Sequence, residues 1–240
     1  MVSKNQIKLI KSLHQKKYRN LHNLFVAEGI KVVRELVNSD FKVNAIFSSD
    51  SEISLGTTDV VEHVTEAELK KMSALTAPNK IIGVFEIPDT RKPNFDGWVV
   101  VLDDIRDPGN LGTIIRLCDW FGIEHLVCSY NTVDCYNPKT LQATMGSISR
   151  VNIGYTDLQT FLEDAPVAVF GAFMEGDVVY DATIPKTGIL VMGNEANGIS
   201  EEVEALVTQK ISIPQFVKST AESLNVATAT AILLNEIRRG

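Results

Sequence analysis

Fully apolar segments in the second part of the chain constrain its fold more than any other feature. "WVVVLDD" begins at Trp98 and "GILVMGNE" begins at Gly188, and neither alternates polar with apolar residues. Strands of this kind are buried on both faces, as in parallel sheets covered by helices. Helical segments alternate with them, including one from Leu111 to Phe121 and a long final one that ends at Arg239. This part is therefore predicted to be an α/β domain with a mainly parallel sheet.

A stretch rich in proline and charge, "DTRKPNFDG", separates this part from the first. Before it, the pattern predicts a small α/β unit with strands "LFVAEG", "VNAIFSS" and "KIIGVFEIP". Helices are predicted at the N-terminus, at "IKVVRELVNS" and at "TEAELKKMS", the last opened by a capping box of Thr65 and Glu68. The predicted organisation is a first domain of residues 1–88, a linker of residues 89–96 and a second domain of residues 97–240.

The charge of the chain is unevenly distributed. The whole chain carries a net charge of −7, but residues 1–45 hold nine Lys or Arg against three Asp or Glu. This segment therefore has a local charge of +6, and the remaining residues carry −13. A basic first segment on an acidic body favours contact with a polyanion. The alternative is that these lysines form only a solvated helix face.

Other features argue against membrane, secreted and metal-binding classes. No apolar run reaches the ~18–20 residues of a membrane span. Lysines recur through the first twenty residues, where a signal peptide has an uninterrupted apolar core. Cys118, Cys128 and Cys135 show no CxxC spacing, and the four histidines show no ligand spacing. We expect a cytoplasmic protein with reduced thiols, no metal and no membrane partner.

A nicotinamide-dependent oxidoreductase is also disfavoured. The strand–turn–helix that follows "WVVVLDD" lacks GxGxxG and lacks an acidic residue about 20 positions later. Ligands of open α/β sheets nevertheless bind beyond the carboxyl ends of the strands. Three loops follow strands in this way: Asp103–Arg116, Gly193–Gly198 and Ile213–Asn225.

The first loop, "DDIRDPGNLGTIIR", predicts a turn at Pro108 and Gly109 with Asn110 as the N-cap of the following helix. Arg116 lies about one and a half turns into that helix and is a candidate for substrate contact. The alternative is structural. In that case Asn110 only caps the helix, and Arg116 only pairs with one of the three aspartates that precede it.

The other two loops also carry polar residues next to strand ends. In "GNEANGIS", Glu195 and two asparagines stand between Gly193 and Gly198, which allows backbone to lie against a flat ligand. A plain turn with positive φ is the alternative. In "ISIPQFVKSTAESLNVATATAILL", Ser223 and Asn225 stand at the start of a helix rich in small residues. Capping and tight helix packing are the alternative there. Together the three loops predict one site.

In order along the chain, "NLGTIIR", "VMGNEANGIS" and "ISIP…SLNVATATAILLNEIRR" resemble the three motifs of the SpoU (TrmH-like) RNA 2′-O-ribose methyltransferases, which belong to the SPOUT class. The resemblance covers about residues 97–239. The segment "KKYRNLHNLFVAEGIKVVREL" resembles the ribosomal-protein-like substrate-binding domain of many members. The fold implied is an α/β trefoil-knotted SPOUT methyltransferase domain, preceded by a small α/β RNA-binding domain.

The resemblance implies an S-adenosylmethionine-dependent methyltransferase that acts on a ribose 2′-hydroxyl of structured RNA, with rRNA favoured over tRNA. It also implies a homodimer formed through the knotted domain. The catalytic positions carried over by the motifs are Asn110, Arg116, Glu195, Ser223 and Asn225. The cofactor positions are Gly193, Ile213, Leu224 and Asn225. The RNA-binding candidates of the first domain are Lys16, Lys17, Tyr18 and Arg19, with Lys4, Lys8 and Lys11 as further phosphate contacts. For Tyr18, stacking on an unpaired base and a place in the core both remain open.

The chemistry implied by the resemblance suits these residue types. A sulfonium methyl is already electrophilic, so the enzyme must chiefly align it with the hydroxyl and handle one proton. Because a guanidinium hardly deprotonates, Arg116 is expected to stabilise the developing alkoxide or to grip the adjacent phosphate. Phosphate, water or Glu195 would assist proton loss. Asn110 would orient the ribose or Arg116, while Ser223 and Asn225 would hold the loop and the methionine moiety.

The third motif departs from the family pattern. "IPQFVKSTAESLN" carries Gln215, has no glycine before the Ser-Leu-Asn and is about two residues longer than usual. Because this loop is expected to border the cofactor, the departure supports an alternative function. In that alternative the chain is an RNA-binding or ribosome-assembly factor that keeps the fold with little or no methyl transfer.

Overall fold

The computed structural model of the chain describes residues 2–56, 61–216 and 223–239. Its helices are α1 (Lys4–Ser12), α2 (Lys16–His22), α3 (Ile30–Val37), α4 (Glu66–Met72), α5 (Pro108–Trp120), α6 (Pro138–Thr144), α7 (Leu158–Glu163), α8 (Glu201–Glu204) and α9 (Val226–Arg239), with a 3-10 turn at Ser147–Ser149. Its strands are β1 (Leu24–Glu28), β2 (Val43–Ser48), β3 (Val61–His63), β4 (Ile81–Glu86), β5 (Trp98–Leu102), β6 (His125–Ser129), β7 (Asn152–Thr156), β8 (Val169–Val178), β9 (Gly188–Met192) and β10 (Gln209–Ser212).

The chain divides into two compact units. The first comprises Met1–Asp89 and Asp134–Arg150, and the second comprises Thr90–Val133 and Val151–Gly240. The first unit contains a four-stranded sheet in the order β1-β4-β2-β3, in which β4 runs antiparallel to both neighbours and β2 pairs with β3 in parallel. Capping boxes open α1 and α4, and the second of these confirms the prediction for Thr65 and Glu68.

One core cluster of the first unit forms where α1 and α4 pack against the sheet. Its buried apolar side chains are Val2, Ile10, Leu13, Val26, Phe47, Leu69, Met72, Ile82 and Val84. Residues 134–150, which the sequence prediction assigned to the second domain, also pack in this unit. The Tyr136 ring lies 4.5 Å from the Phe25 ring of β1, measured between centroids.

The second unit contains a six-stranded parallel sheet in the order β10-β8-β9-β5-β6-β7. Every residue of β5 and β9 is buried, which confirms the prediction of a parallel sheet with covered faces. Val99, Val101 and Val191 share a core with residues of α7 and α8. Because side chains alternate along a strand, Val100 and Leu102 point to the opposite face.

Two short elements of the first unit were not predicted, whereas the burial of the cysteines was. Neither α2 nor the three-residue strand β3 has an apolar pattern long enough to indicate its presence. All three cysteines are buried, and burial raises the pKa of the Cys118 thiol well above its ordinary value.

The described residues contain neither a candidate membrane-spanning helix nor a cluster of candidate metal ligands. In that part of the chain, no helix is both long and apolar enough to cross a membrane. Among the same residues, no three His, Cys, Asp or Glu side chains are grouped closely enough to hold a metal ion.

Candidate functional site

Two of the predicted loops leave the sheet side by side. Strands β5 and β9 pair in parallel, with Leu102 opposite Met192 at their carboxyl ends. The turn after β5 and the loop Gly193–Gly198 after β9 therefore start at neighbouring points on the same edge. This is the edge at which parallel α/β sheets bind ligands.

Helix α5 begins earlier than predicted. It starts at Pro108, and its N-cap is Asp107, whose Oδ1 accepts a hydrogen bond of 2.8 Å from the Asn110 backbone N–H. Proline suits the first helical position because its missing N–H has no partner there in any case. The prediction of Asn110 as the N-cap is therefore wrong. Since Asp107 performs the capping, the Asn110 side chain is available for contacts with the neighbouring loops.

A chain of side-chain hydrogen bonds joins one residue from each of the three loops. Asn110 Nδ2 donates to Glu195 Oε1 at 2.8 Å, and Asn225 Nδ2 donates to Asn110 Oδ1 at 2.9 Å. Asn225 Oδ1 in turn accepts the backbone N–H of Ala227 at 3.0 Å, at the start of α9. Each amide has its oxygen and nitrogen assigned by these partners, so the orientation of every group follows from the next.

The β9 loop has a fixed shape of its own. Asn194 and Gly198 exchange backbone hydrogen bonds of 2.8 and 2.9 Å, and Asn194 Oδ1 accepts the N–H groups of Ala196 and Asn197. A Cβ on Gly193 would lie 2.2 Å from the backbone carbon of Gly198, so only glycine fits there. Glu195 is thus presented from a closed loop at the end of β9.

The turn after β5 contains a strained residue. Asp104 has a φ of +57°, a conformation that costs a non-glycine residue about 1–2 kcal/mol. Its carbonyl oxygen accepts from Asn194 Nδ2 at 2.7 Å, and its carboxylate accepts two hydrogen bonds from Arg106, at 3.0 and 2.9 Å. This pairing raises the pKa of the exposed Arg106 guanidinium above its ordinary value. The buried carboxylate of Asp103 accepts the backbone N–H of Ser200 at 2.8 Å.

Arg116 differs from its neighbours because its guanidinium has no hydrogen-bond or ion-pair partner among the described residues. The three preceding aspartates are engaged with Ser200, with Arg106 and with the N-terminus of α5. The structural alternative, in which Arg116 only pairs with one of these aspartates, is therefore not what the structure contains. Its side chain is exposed on α5 and is accessible to an incoming group.

Among the described residues, Ser223, Leu224 and Ile213 contribute no side chain to these hydrogen bonds. Ser223 and Leu224 are exposed immediately before Asn225, and 49% of the Leu224 surface is accessible. Ile213 is half-buried directly after β10. Residues 217–222, which make up most of the atypical loop Gln215–Glu222, lie outside the described residues.

The RNA-binding candidates of the first unit divide into two kinds. Lys16 and Lys17 are exposed, and Lys17 Nζ lies 5.7 Å from the centroid of the half-buried Tyr18 ring. Arg19 is 2% exposed, donates to the Leu13 carbonyl oxygen at 2.9 Å and forms an ion pair with Asp134. This corrects the prediction for Arg19, because a guanidinium that is buried and paired with a carboxylate is not accessible to an RNA phosphate.

Ser129 and Thr132 were not singled out from the sequence, although both bind the turn after β5. Ser129 Oγ accepts the Asp104 N–H at 2.9 Å, and Thr132 Oγ1 accepts the Ile105 N–H at 3.2 Å. These pairs are 25 and 27 positions apart in the chain. No local pattern indicates such contacts, since they depend on the pairing of β5 with β6.

Two family models match the chain, one in each of its two parts. Residues 97–235 match the model of the SpoU rRNA Methylase family, and residues 4–83 match the model of the MRM3-like substrate binding domain. The first match spans more than half of the chain and includes all three loops of the site. The second covers the segment that contains α1, α2 and the exposed lysines.

Individual relatives are similar to this chain over most of its length. The chain is 31% identical to the 23S rRNA (guanosine(2553)-2′-O)-methyltransferase of Bacillus subtilis, with 98% of this chain and 97% of the relative covered. It is 26% identical to the 23S rRNA (uridine(2479)-2′-O)-methyltransferase of Streptomyces viridochromogenes, with 90% and 83% covered. An S-adenosylmethionine-bound rRNA methyltransferase of Sinorhizobium meliloti superimposes with a TM-score of 0.86 at 31% identity, over 100% and 97% of the two chains. The predicted SPOUT fold with a preceding substrate-binding domain is thereby confirmed.

Proposed function

The chain belongs to the SpoU rRNA methylase family, and from this premise we propose that it transfers the methyl group of S-adenosylmethionine to a ribose 2′-hydroxyl of ribosomal RNA. One observation carries the assignment of the site. The chain from Asn225 through Asn110 to Glu195 joins the three motif loops, with hydrogen bonds of 2.9 and 2.8 Å. The unpaired guanidinium of Arg116, which has no partner among the described residues, lies on α5, the helix that carries Asn110.

The residues after β9 and β10 suit S-adenosylmethionine. Gly193 packs against the Gly198 backbone so closely that no side chain fits, which fixes the course of the loop after β9. Leu224 and Ile213 add apolar surface of the kind that an adenine ring contacts. When bound, the cofactor supplies an electrophilic methyl group. Gly193, Ile213, Leu224 and Asn225 are the residues that we assign to its binding.

The protein's part in the reaction is alignment and charge stabilisation. Attack by the 2′-oxygen requires that the hydroxyl lose its proton and that negative charge on oxygen be stabilised meanwhile. Arg116 supplies a positive charge with no competing partner among the described residues, directed at that oxygen or at the adjacent phosphate. Glu195 accepts the proton directly or through water, and its carboxylate is oriented by Asn110. Ser223 holds the loop before Asn225.

RNA binding is assigned to the first domain, for which we propose residues 1–88, with a linker of residues 89–96 and a catalytic domain of residues 97–240. Lys16 and Lys17 contact phosphates, and Tyr18 contributes its exposed edge. The match of residues 4–83 to a substrate-binding family model supports this division of labour. Arg19 is left out of the RNA contacts because it is buried.

The proposal also includes a homodimer formed through the catalytic domain, in the cytoplasm. Trp120, at the end of α5, is 84% exposed, and a large apolar side chain of this kind is typical of a contact surface. Light scattering after size-exclusion chromatography tests this. The wild-type chain is expected to have twice the mass of one chain, and Trp120→Glu is expected to shift it towards a single chain. A wild-type monomer at micromolar concentration would contradict the dimer.

The reaction is tested with S-adenosylmethionine labelled in the methyl group and ribosomal RNA from cells that lack this protein. The RNA is then hydrolysed in alkali, and free RNA is compared with ribosomal particles and with tRNA. A 2′-O-methyl group blocks cleavage at its own phosphodiester, so label is expected in alkali-resistant dinucleotides. Label in mononucleotides would mean base methylation and would contradict the proposal, and label only in tRNA would contradict the choice of ribosomal RNA.

The second candidate function is an RNA-binding or ribosome-assembly factor without efficient transfer. It is favoured only by the atypical third motif with Gln215. Titration calorimetry separates the two, because the enzyme is expected to bind S-adenosylmethionine with micromolar affinity. Absence of cofactor binding together with retained RNA binding would favour the assembly factor.

A further inference from the structure

Two hydroxyl side chains outside the three motif loops hold the turn after β5. Ser129 is the last residue of β6, the strand next to β5, and Thr132 follows three residues later. Thr132 is 2% exposed, so its hydroxyl is removed from solvent. Both hydroxyls bind backbone groups of the segment Leu102–Ile105.

Only one assignment of donors and acceptors satisfies all the hydrogen bonds of these two hydroxyls. Each hydroxyl has one proton and two lone pairs. Thr132 Oγ1 donates to the Leu102 carbonyl oxygen at 3.2 Å and accepts the Ile105 N–H at 3.2 Å. The proton of the 3.0 Å bond between the two hydroxyls must therefore come from Ser129, which in turn accepts the Asp104 N–H at 2.9 Å. Thr132 thus bonds the backbone on both sides of the strained residue Asp104.

The backbone of the next residue along strengthens this clamp. The Val133 N–H donates to the Ile105 carbonyl oxygen at 2.8 Å. Between them, Ser129, Thr132 and Val133 satisfy four backbone groups of Leu102, Asp104 and Ile105. A residue held at positive φ without being glycine persists only where its surroundings fix it in this way.

The clamped turn in turn fixes the loop that presents Glu195. The Asp104 carbonyl oxygen accepts from Asn194 Nδ2 at 2.7 Å, and Asn194 Oδ1 closes the β9 loop. The other end of the turn leads into α5, which carries Asn110. The position of Asn110 relative to Glu195 therefore depends on the shape of this turn.

We propose that Thr132 is a positioning residue for methyl transfer. With Ser129 it clamps the turn Asp103–Ile105 and so sets the contact between Asn110 and Glu195. Thr132 touches neither RNA nor cofactor in this role, and it acts only through the loops that do. The inference rests on the proposed methyl transfer at this site.

The test compares Thr132→Val, which removes the hydroxyl at nearly constant volume, with Thr132→Ser, which keeps it. Steady-state transfer is measured on large-subunit ribosomal RNA made by transcription, with cofactor affinity measured by calorimetry. Thr132→Val is expected to lower kcat at least tenfold, with KM for RNA and Kd for cofactor changed less than twofold. Thr132→Ser is expected to retain at least half of the wild-type kcat. Ser129→Ala, which leaves the Thr132 bonds to Leu102 and Ile105 in place, is expected to lower kcat three- to tenfold.

Two kinetic results would overturn the proposal: a Thr132→Ser enzyme as slow as Thr132→Val, or a Thr132→Val enzyme with raised KM and normal kcat. A second readout does not depend on activity. Hydrogen exchange in peptides covering residues 101–107 and 193–199 is expected to accelerate in Thr132→Val and not in Thr132→Ser. Unchanged exchange in both variants would also overturn it. If the wild-type chain transfers no methyl group, the proposed function fails, while the exchange experiment still decides whether Thr132 holds the turn.

Discussion

The polar residues at the edge of the parallel sheet and the basic residues of α1 and α2 are organised in opposite ways. At the sheet edge, Asn225, Asn110 and Glu195 bind one another at fixed distances of 2.9 and 2.8 Å. On the helices, Lys4, Lys8 and Lys11 are exposed, as are the two lysines at the start of α2. The first arrangement presets geometry, as a chemical step requires. The second places positive charge on an exposed surface, where it can contact a phosphate backbone.

Two arginines depart from the pattern of the region in which they lie. Arg19 lies in the basic segment, yet it is buried and paired with Asp134. Arg116 lies at the sheet edge, yet its charge has no partner among the described residues. Charge read from the sequence therefore predicts function poorly until burial is known.

Replacing Arg19 is expected to damage stability and not RNA recognition itself. Arg19→Ala leaves the Asp134 carboxylate without its cationic partner. The Asp134 side chain is only 12% exposed in the ion pair with Arg19. Removing one partner of a buried pair costs about 3–5 kcal/mol. Urea unfolding monitored by circular dichroism measures this. Lys17→Ala, on the same helix but exposed, is the matched control, with an expected change within about 0.5 kcal/mol. Equal losses of stability in the two variants would contradict a structural role for Arg19.

Replacing Arg116 is expected to slow the chemical step. Arg116→Ala should reduce the single-turnover rate at saturating RNA and cofactor about 100- to 1,000-fold, as loss of one charge-stabilising group does. Arg116→Lys keeps the charge but loses the planar fork, so an intermediate rate is expected. Because Arg116 is exposed and without a partner among the described residues, its replacement should leave the unfolding midpoint unchanged. An Arg116→Ala enzyme within tenfold of wild type would mean that the guanidinium is not at the reacting oxygen.

The hydrogen-bonded amides are expected to act as a unit. In a double-mutant cycle on Asn110→Ala and Asn225→Ala, the two reductions in transfer rate should be non-additive, with a coupling of about 0.5–3 kcal/mol. The physical reason is the direct bond from Asn225 Nδ2 to Asn110 Oδ1. Additive reductions would show that the two side chains contribute independently and that the chain through Asn110 does not orient Glu195.

The exposed lysines are expected to give the smallest effect, confined to RNA affinity. Lys16→Ala with Lys17→Ala should raise the half-saturating RNA concentration several-fold and leave the saturating rate unchanged. The slope of log affinity against log salt should become shallower by roughly 0.7–0.9 for each phosphate that the variant no longer neutralises. Lys80→Ala is the control within the same unit, because Lys80 pairs with Asp50 at 2.9 Å. Identical salt slopes for the double variant and wild type would exclude Lys16 and Lys17 from RNA binding.

The sequence predicted well what depends on repeating local patterns and poorly what depends on distant partners. The apolar runs of β5 and β9 predicted the parallel sheet, and strand-end loops predicted where Asn110, Glu195 and Asn225 meet. The N-cap of α5 was misplaced because Asp107 and Asn110 are both good caps, and only the backbone decides between them.

The errors in the first unit and the omissions at the site have one physical cause. Arg19 pairs with Asp134, which lies 115 positions away in the chain. Ser129 and Thr132 reach the turn after β5 only because β6 pairs with β5. Interactions of this kind depend on how the strands and helices are arranged in the fold. Local residue types and their spacing do not indicate that arrangement. The positioning role proposed for Thr132 therefore emerges only from the assembled structure.

The central claim is that the sheet edge performs the chemistry while the basic helices set RNA affinity. The most direct test measures single-turnover methyl transfer against RNA concentration for wild type, Arg116→Ala and the Lys16→Ala Lys17→Ala double variant. We predict that Arg116→Ala lowers the saturating rate with half-saturation changed less than twofold, and that the lysine variant shifts half-saturation while reaching the wild-type rate. The account would be contradicted if the lysine variant had a reduced saturating rate while Arg116→Ala had only a weaker affinity for RNA.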